Sequence, residues 1–280
     1  MWPVDQSSVS IAAVITACAK QTRDKEIAQR LRASKSELER HSAALQALIR
    51  QDSLHSLQPS QYILVNLSDS EMKAFYTGQL SRLNSAARKL YDTIIESAPW
   101  GLCCYCQYGA ADTLDHFVPK SVVAPLSLEP WNLVPACSRC NHRLRNQWGT
   151  NRRKQLFHPY NVPNIGRWLY AHVEERTPIV LSFRAKPPRN ASAVTKERVQ
   201  NEYKALMLAK LFSVVAAGDI AIVSKTLRRQ FPTGGAREVK LHLQEISGDA
   251  FGTDKNSLRG VIYEALAADE WFCNGGYNAA

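Results

Sequence analysis

Four cysteines fall into two pairs, Cys103 with Cys106 and Cys137 with Cys140, the members of each separated by two residues. Two such pairs supply the thiolates of one tetrahedral Zn²⁺. Asp115, His116 and Asn132 lie between the pairs, and Asn141 directly follows the second. A carboxylate, amide oxygens and an imidazole form a set able to hold a hard divalent cation and activate water. Neutral imidazole suits the task of a base because its ordinary pKa, ~6.5, is close to working pH. A cation acts as a Lewis acid on a phosphate and its leaving oxygen. Mg²⁺ prefers oxygen ligands and keeps several waters, so one carboxylate and one amide oxygen are a sufficient share for the protein. The expected chemistry is phosphodiester hydrolysis, with one metal holding the fold and another at the reacting centre.

Taken singly, these residues mean little. An isolated Asp-His pair is usually a surface pair or a satisfied buried histidine, and reduced cysteines often serve as small buried hydrophobes. Their order within one short stretch is what carries weight. Six basic residues and no acidic one follow between 139 and 154: Arg139, Arg143, Arg145, Arg152, Arg153 and Lys154. Such a run is commonly a solvated face. Here it starts on the segment bearing Asn141, with Trp148 and Tyr160 close by, and phosphate binding is the favoured reading. The net charge of +10 is unevenly spread, at +2 over residues 1–98, +4 over 99–160 and +4 over 161–280. Its density peaks where a polyanion would dock. His158 is expected to pack or shape a turn.

The elements that must position this set are short. Residues 113–118 and 133–136 read as strands of a hairpin and 138–147 as a helix, with 119–131, containing Pro119, Pro125 and Pro130, as the connecting loop. The N-terminal third reads as helix, with Ile27, Leu31, Leu38, Leu45 and Ile49 on one apolar stripe. Ser68 and Glu71 form a candidate capping box. The helix it starts is expected to carry Met72, Phe75, Leu83, Ala87, Leu90 and Ile94 to a stop at Pro99. Beyond Tyr160, residues 178–185 read as a strand and 186–190 as a linker. A helix follows through Tyr203, Leu206, Leu211, Phe212 and Val215, then two more near 235–247 and 255–269. The expected class is α+β, a mainly helical chain carrying a small zinc-clamped ββα module. Its expected parts are a helical region (1–98), the motif module (99–160) and a mostly helical region (161–280).

The motif stretch resembles the HNH endonuclease family, also called ββα-metal or His-Me finger nucleases, in its zinc-clamped form. The match comprises the first cysteine pair, then Asp115, His116, Pro119 and Ser121, then Asn132 and Leu133, then the second pair ending in Asn141. It covers roughly sixty residues, and several chemically distinct positions fall in the family's order. The resemblance implies His116 as general base, Asp115 and Asn141 as ligands of a catalytic Mg²⁺ or Mn²⁺, Asn132 as a brace for the loop that aims His116, and structural zinc on the four cysteines. Such enzymes often carry Lys three residues after the last Asn. Leu144 stands there, and Arg143 and Arg145 are the expected substitutes. Many members use His as the final ligand, which makes His142 the rival of Asn141. Adjacent helical side chains diverge by about 100°, so the two cannot both face the cation. In the resembled pattern the residue directly after the last cysteine turns towards the hairpin, which makes Asn141 the favoured ligand.

The wider context is similar to the nuclease subunit of Septu-type anti-phage systems, which implies a partner ATPase of the ABC type. Nucleic acid is the expected partner, with DNA ahead of RNA. A catalytically inactive zinc-ribbon or adaptor module is the alternative, but it would not need Asp115, His116 and Asn141 together. Apolar content of 45% with 21% charged residues excludes wholesale disorder. Cys18, Cys104 and Cys273 are left over, an odd remainder that argues against a disulfide framework and for a cytoplasmic setting. No apolar run reaches the ~18 residues of a spanning helix. Residues 9–19 follow a leader without Lys or Arg and read as an amphipathic helix rather than a signal.

Overall fold

The Ser10 side chain accepts from the N–H of Ala13 and starts α1 (Ile11–Gln21), whose Ile11, Val14, Ile15 and Cys18 are buried. Asp24 caps α2 (Lys25–Ala33) in the same way, and α3 (Lys35–Arg50) continues the apolar stripe. Leu31, Leu38, Leu45 and Ile49 are all buried, as their spacing requires, although the stripe is divided between two helices at Ser34. The computed structural model describes residues 2–231 and 235–279. It divides the chain into two compact units, Met1–Pro163 and Asn164–Ala280. Residues 1–98 and 99–160, read apart in the sequence, therefore share one unit.

The capping box is formed. Glu71 N–H donates to Ser68 Oγ at 3.3 Å, and Ser68 N–H donates to Glu71 Oε2 at 2.8 Å. It opens α4 (Asp69–Phe75), but the helix does not run on to Pro99. It loosens into a π turn at Tyr76–Leu80, leaves helical geometry, and resumes as α5 (Arg88–Glu96). Competing hydrogen bonds account for the break. Ser85 Oγ donates to the Gln79 carbonyl at 2.5 Å, and the Gln21 side chain accepts from Ala86 N–H at 2.8 Å. Asn84 takes a left-handed φ of 62°. Leu83, expected in the core, is 70% exposed as a result.

The motif module follows as β1 (Thr113–His116), β2 (Leu133–Ala136) and α6 (Ser138–Leu144). The strands are antiparallel, with Asp115 opposite Val134 and His116 opposite Leu133. This hairpin has little core of its own. Leu114, Ala124, Leu128 and Leu133 are buried in one cluster with Val14 and Ile15 of α1, Leu38 of α3, Met72 and Phe75 of α4, and Ile94 of α5. Helices from the first ninety-odd residues thus form the floor on which the module stands.

The second unit is a hairpin backed by helices. β3 (Leu169–Arg176) pairs antiparallel with β4 (Ile179–Ala185), of which only β4 was legible in the sequence. The helix expected through residues 203–215 is two, α7 (Ala193–Ala205) and α8 (Leu208–Gln230), because Met207 adopts φ 50° between them. α9 (Ala236–Thr253) and α10 (Leu258–Ala268) match expectation, and the short α11 (Glu270–Cys273) was not foreseen. α8 packs on β4, and α10 packs on β3 and α9. Among the described residues no single helix is long and apolar enough to cross a membrane.

Candidate metal and nuclease centre

Cys103 and Cys106 sit in a tight knuckle closed by a bridge between Leu102 and Ala110. Its backbone bonds run from Cys103 N–H to the Gly109 carbonyl and from Gln107 N–H to the Cys103 carbonyl, each 2.8 Å. Cys137 caps α6 and Cys140 lies one turn in, while Asp112 takes the N–H of Ser138 at 2.8 Å and fixes the start of that helix. All four cysteines are buried, and their sulfurs lie within 4.8 Å of one another. Cys106 and Cys137 approach to 3.9 Å. Four sulfurs at about 2.3 Å around one zinc would stand about 3.8 Å apart, so donor type, number and spacing suit that ion. Thiols this crowded share their protons. Hydrogen bonding with Cys106 holds the Cys103 thiol up, and the same interaction holds Cys106 down towards the thiolate a metal requires. Cys104 is buried but outside the cluster, as the two-residue spacing implied.

Beside the cluster opens a cleft of about 500 Å³, lined by Asp115, His116, Lys120, Asn141, Arg145 and Asn146, among others. Asp115 and His116 are the last two residues of β1, and both line the cleft. The Asp115 carboxylate accepts from the Tyr105 hydroxyl at 2.7 Å through Oδ2. Burial pushes its pKa up to about 7, against the opposing pull of Tyr105 and a backbone amide. The His116 ring stands edge-on to Tyr76, with centroids 4.4 Å apart, and its Nε2 lies 3.1 Å from the Ser127 carbonyl. A carbonyl only accepts, so Nε2 carries the hydrogen of the neutral ring and Nδ1 keeps the lone pair. Burial, and then the charge of Lys120, lower the pKa of His116 to about 3. The imidazole is neutral throughout the ordinary pH range.

Asn132 does not reach the cleft but holds the loop after β1. Its Oδ1 accepts from Val118 N–H at 2.8 Å, and its Nδ2 donates to the carbonyls of Val118 and Leu126 at 2.9 and 3.2 Å. Asn141 does line the cleft, with Nδ2 donating to Thr113 Oγ1 at 3.1 Å, which turns Oδ1 away from that partner. His142 is exposed, is absent from the lining, and meets Arg145 Nη2 at 2.7 Å.

Of the six basic residues singled out in the sequence, Arg145 lines the cleft. Arg143 is exposed on α6, Arg139 is half-buried, and Arg152, Arg153 and Lys154 occupy an exposed turn whose Arg153 and Lys154 amides donate to Asn151 Oδ1. Sequence reasoning passed over Lys120, Tyr76 and Tyr105. Lys120 and Tyr105 lay in plain view, one beside Ser121 in the motif loop and one inside the first cysteine pair. Nothing local marked Tyr76. Lys120 Nζ sits 4.8 Å from the Tyr76 ring centroid, and burial together with Lys73 lowers its pKa. His158 has the packing role expected of it. Its ring packs against Phe117 at a tilt of 46° with centroids 4.3 Å apart and accepts from Tyr160 N–H at 3.2 Å.

A methyl group on Gly109 would lie 2.9 Å from Cys137 Cβ and 3.0 Å from its Sγ. That short side chain cannot swing aside without leaving the cluster, so Gly109→Ala should lower zinc per chain in metal analysis and speed thiol alkylation. His158 offers a separate check. Burial lowers its folded pKa to about 3, below the unfolded value. Its contribution to stability is therefore full above about pH 6.5 and lost as pH falls towards about 3, with a slope near 1.4 kcal/mol per pH unit. His158→Phe should flatten the pH dependence of urea-measured stability in that window by about this slope. An unchanged slope would mean that His158 is solvated.

No family model matches the chain, and no solved structure matches it. Among curated proteins it is similar to protein ea31 of Escherichia phage lambda, 27% identical over 243 residues that span 81% of this chain and 82% of that protein. An alignment of that length cannot be confined to the motif or to either compact unit.

Proposed function

We propose that the chain is a metal-dependent endonuclease that hydrolyses phosphodiester bonds in nucleic acid, with DNA ahead of RNA. The supporting observation is the convergence of Asp115, His116 and Asn141 on one cleft beside the four-cysteine cluster. His116 Nδ1 takes a proton from the attacking water, and the Ser127 carbonyl holds the opposite nitrogen so that the ring cannot turn. Asp115 and Asn141 offer oxygens to Mg²⁺ or Mn²⁺, and a cation there supplies charge stabilisation at the scissile phosphate and leaving oxygen. Lys120 and Arg145 face the same cleft and hold the phosphate, which supplies the cation missing at Leu144. The four cysteines hold structural zinc and with it the relative placement of β1 and α6.

Plasmid, single-stranded DNA and tRNA, each incubated with and without Mg²⁺ or Mn²⁺, provide the test. Wild type should cut at least one polymer in a metal-dependent way. His116→Ala should lose cleavage by about two orders of magnitude or more, and Asn141→Ala should lose Mg²⁺-supported cleavage while His142→Ala keeps most of it. Intact zinc-loaded protein that cuts none of the three would leave a binding module in place of the enzyme. Loss in His142→Ala with retention in Asn141→Ala would move the ligand by one residue. Lys120→Ala with Arg145→Ala should flatten the salt dependence of binding by about two units of log–log slope. An unchanged slope would remove both residues from the phosphate contact.

A further inference from the structure

Tyr105 is wholly buried between two cysteines of the cluster, and its hydroxyl is the donor to Asp115 Oδ2 at 2.7 Å. Tyr105 lies in the knuckle backbone, whose shape is set by Cys103, Cys106 and Gly109. Asp115 lies on a different element, β1, and lines the cleft. A phenol buried there gains from an ionised acceptor, and a buried carboxylate gains from a donor. Engagement of Oδ2 fixes the rotation of the carboxylate, and with it the direction in which its lone pairs are offered to a cation. The cluster reaches the cleft a second time through Asn141, the residue directly after Cys140. Asn141 is thus one covalent link from a cysteine of the cluster, and Asp115 is a hydrogen bond and one covalent link from another.

We infer that Tyr105 is a positioning residue that couples the thiolate cluster to the cleft. Metal in the cluster holds the knuckle, the knuckle holds Tyr105, and Tyr105 holds Asp115 in the orientation that takes a hard divalent cation. Occupancy of the clamp therefore governs the affinity of the cleft for Mg²⁺ or Mn²⁺, so that a chain without zinc is also disarmed. This rests on the reading of Asp115 as a cation ligand. Groups that orient a metal ligand in this way change metal affinity by about ten- to a hundred-fold when removed.

The test is Mn²⁺ titration, followed by paramagnetic resonance of the free ion, on zinc-loaded full-length chain. Tyr105→Phe keeps the ring and removes the donor. It should retain wild-type zinc content and bind Mn²⁺ about ten- to a hundred-fold more weakly, with cleavage lost in kcat rather than KM. The same change in an Asp115→Asn background should add nothing. Unchanged Mn²⁺ affinity in Tyr105→Phe, or equal weakening in both backgrounds, would overturn the coupling. If Asp115→Asn alone left Mn²⁺ affinity untouched, the reading of the cleft itself would fall. Should Tyr105→Phe not take up zinc, wild type with the clamp refilled by the larger Cd²⁺ answers the same question. Expansion of the cluster should shift the Mn²⁺ affinity of the cleft, and identical affinities for the two loaded forms would overturn the proposal.

Discussion

Four buried sulfurs within 4.8 Å of one another are the constraint from which the motif module follows. Two unit charges at about 4 Å repel by on the order of 4 kcal/mol at an effective dielectric of 20. More than one of the four sulfurs can be ionised at little cost only around a cation, and without one the cluster is a poor core. It ties the knuckle at residues 102–110 to the start of α6, segments some thirty residues apart in the chain. The intervening hairpin then has few arrangements open to it, and a metal held by the four sulfurs would add its binding energy to the folding of so small a module.

The helical frame supplies what the cluster does not. A two-stranded hairpin leaves an unpaired edge on each strand, which is costly when buried. On β1 the N–H of Leu114 donates to Tyr91 Oη at 3.1 Å, and its carbonyl accepts from Tyr76 Oη at 3.4 Å. Tyrosines from α5 and from the π turn therefore complete the strand that carries Asp115 and His116. The same Tyr76 ring walls His116 and receives Lys120. A π turn costs regular helical hydrogen bonds, and such turns recur where function sets side-chain placement. Here it is the device that puts one ring against three features of the cleft.

Burial shifts the pKa values of the two central groups in opposite directions because it disfavours charge on both. It holds His116 neutral and resists the charge on Asp115, whose pKa stands at about 7. A cation in the cleft would offset the cost of ionising Asp115 without the same benefit to His116. Solvent exclusion and the partner each group meets thus keep the imidazole neutral and leave the carboxylate in need of a compensating charge.

Features with local causes were legible in the sequence: the two-residue cysteine spacing, the capping box at Ser68 and Glu71, the stripe on α2 and α3, and the strand at Leu133–Ala136. Each depends on residues a few positions apart, where spacing and geometry are nearly the same statement. Helix geometry alone required Asn141 and His142 to face different ways, and the structure turns Asn141 towards the cleft. The break after Leu80 was not legible, because Gln21, sixty-five residues away from Ala86, supplies the competing acceptor. β3 was missed because its pattern is irregular and only pairing with β4 defines it. The tertiary structure alone decided that Tyr105 meets Asp115, that Tyr76 meets His116, and that Lys120 and Arg145 rather than the whole basic run line the cleft. Residue type and spacing determine what chemistry a chain can offer, whereas the direction a side chain faces is set by a core assembled from distant segments.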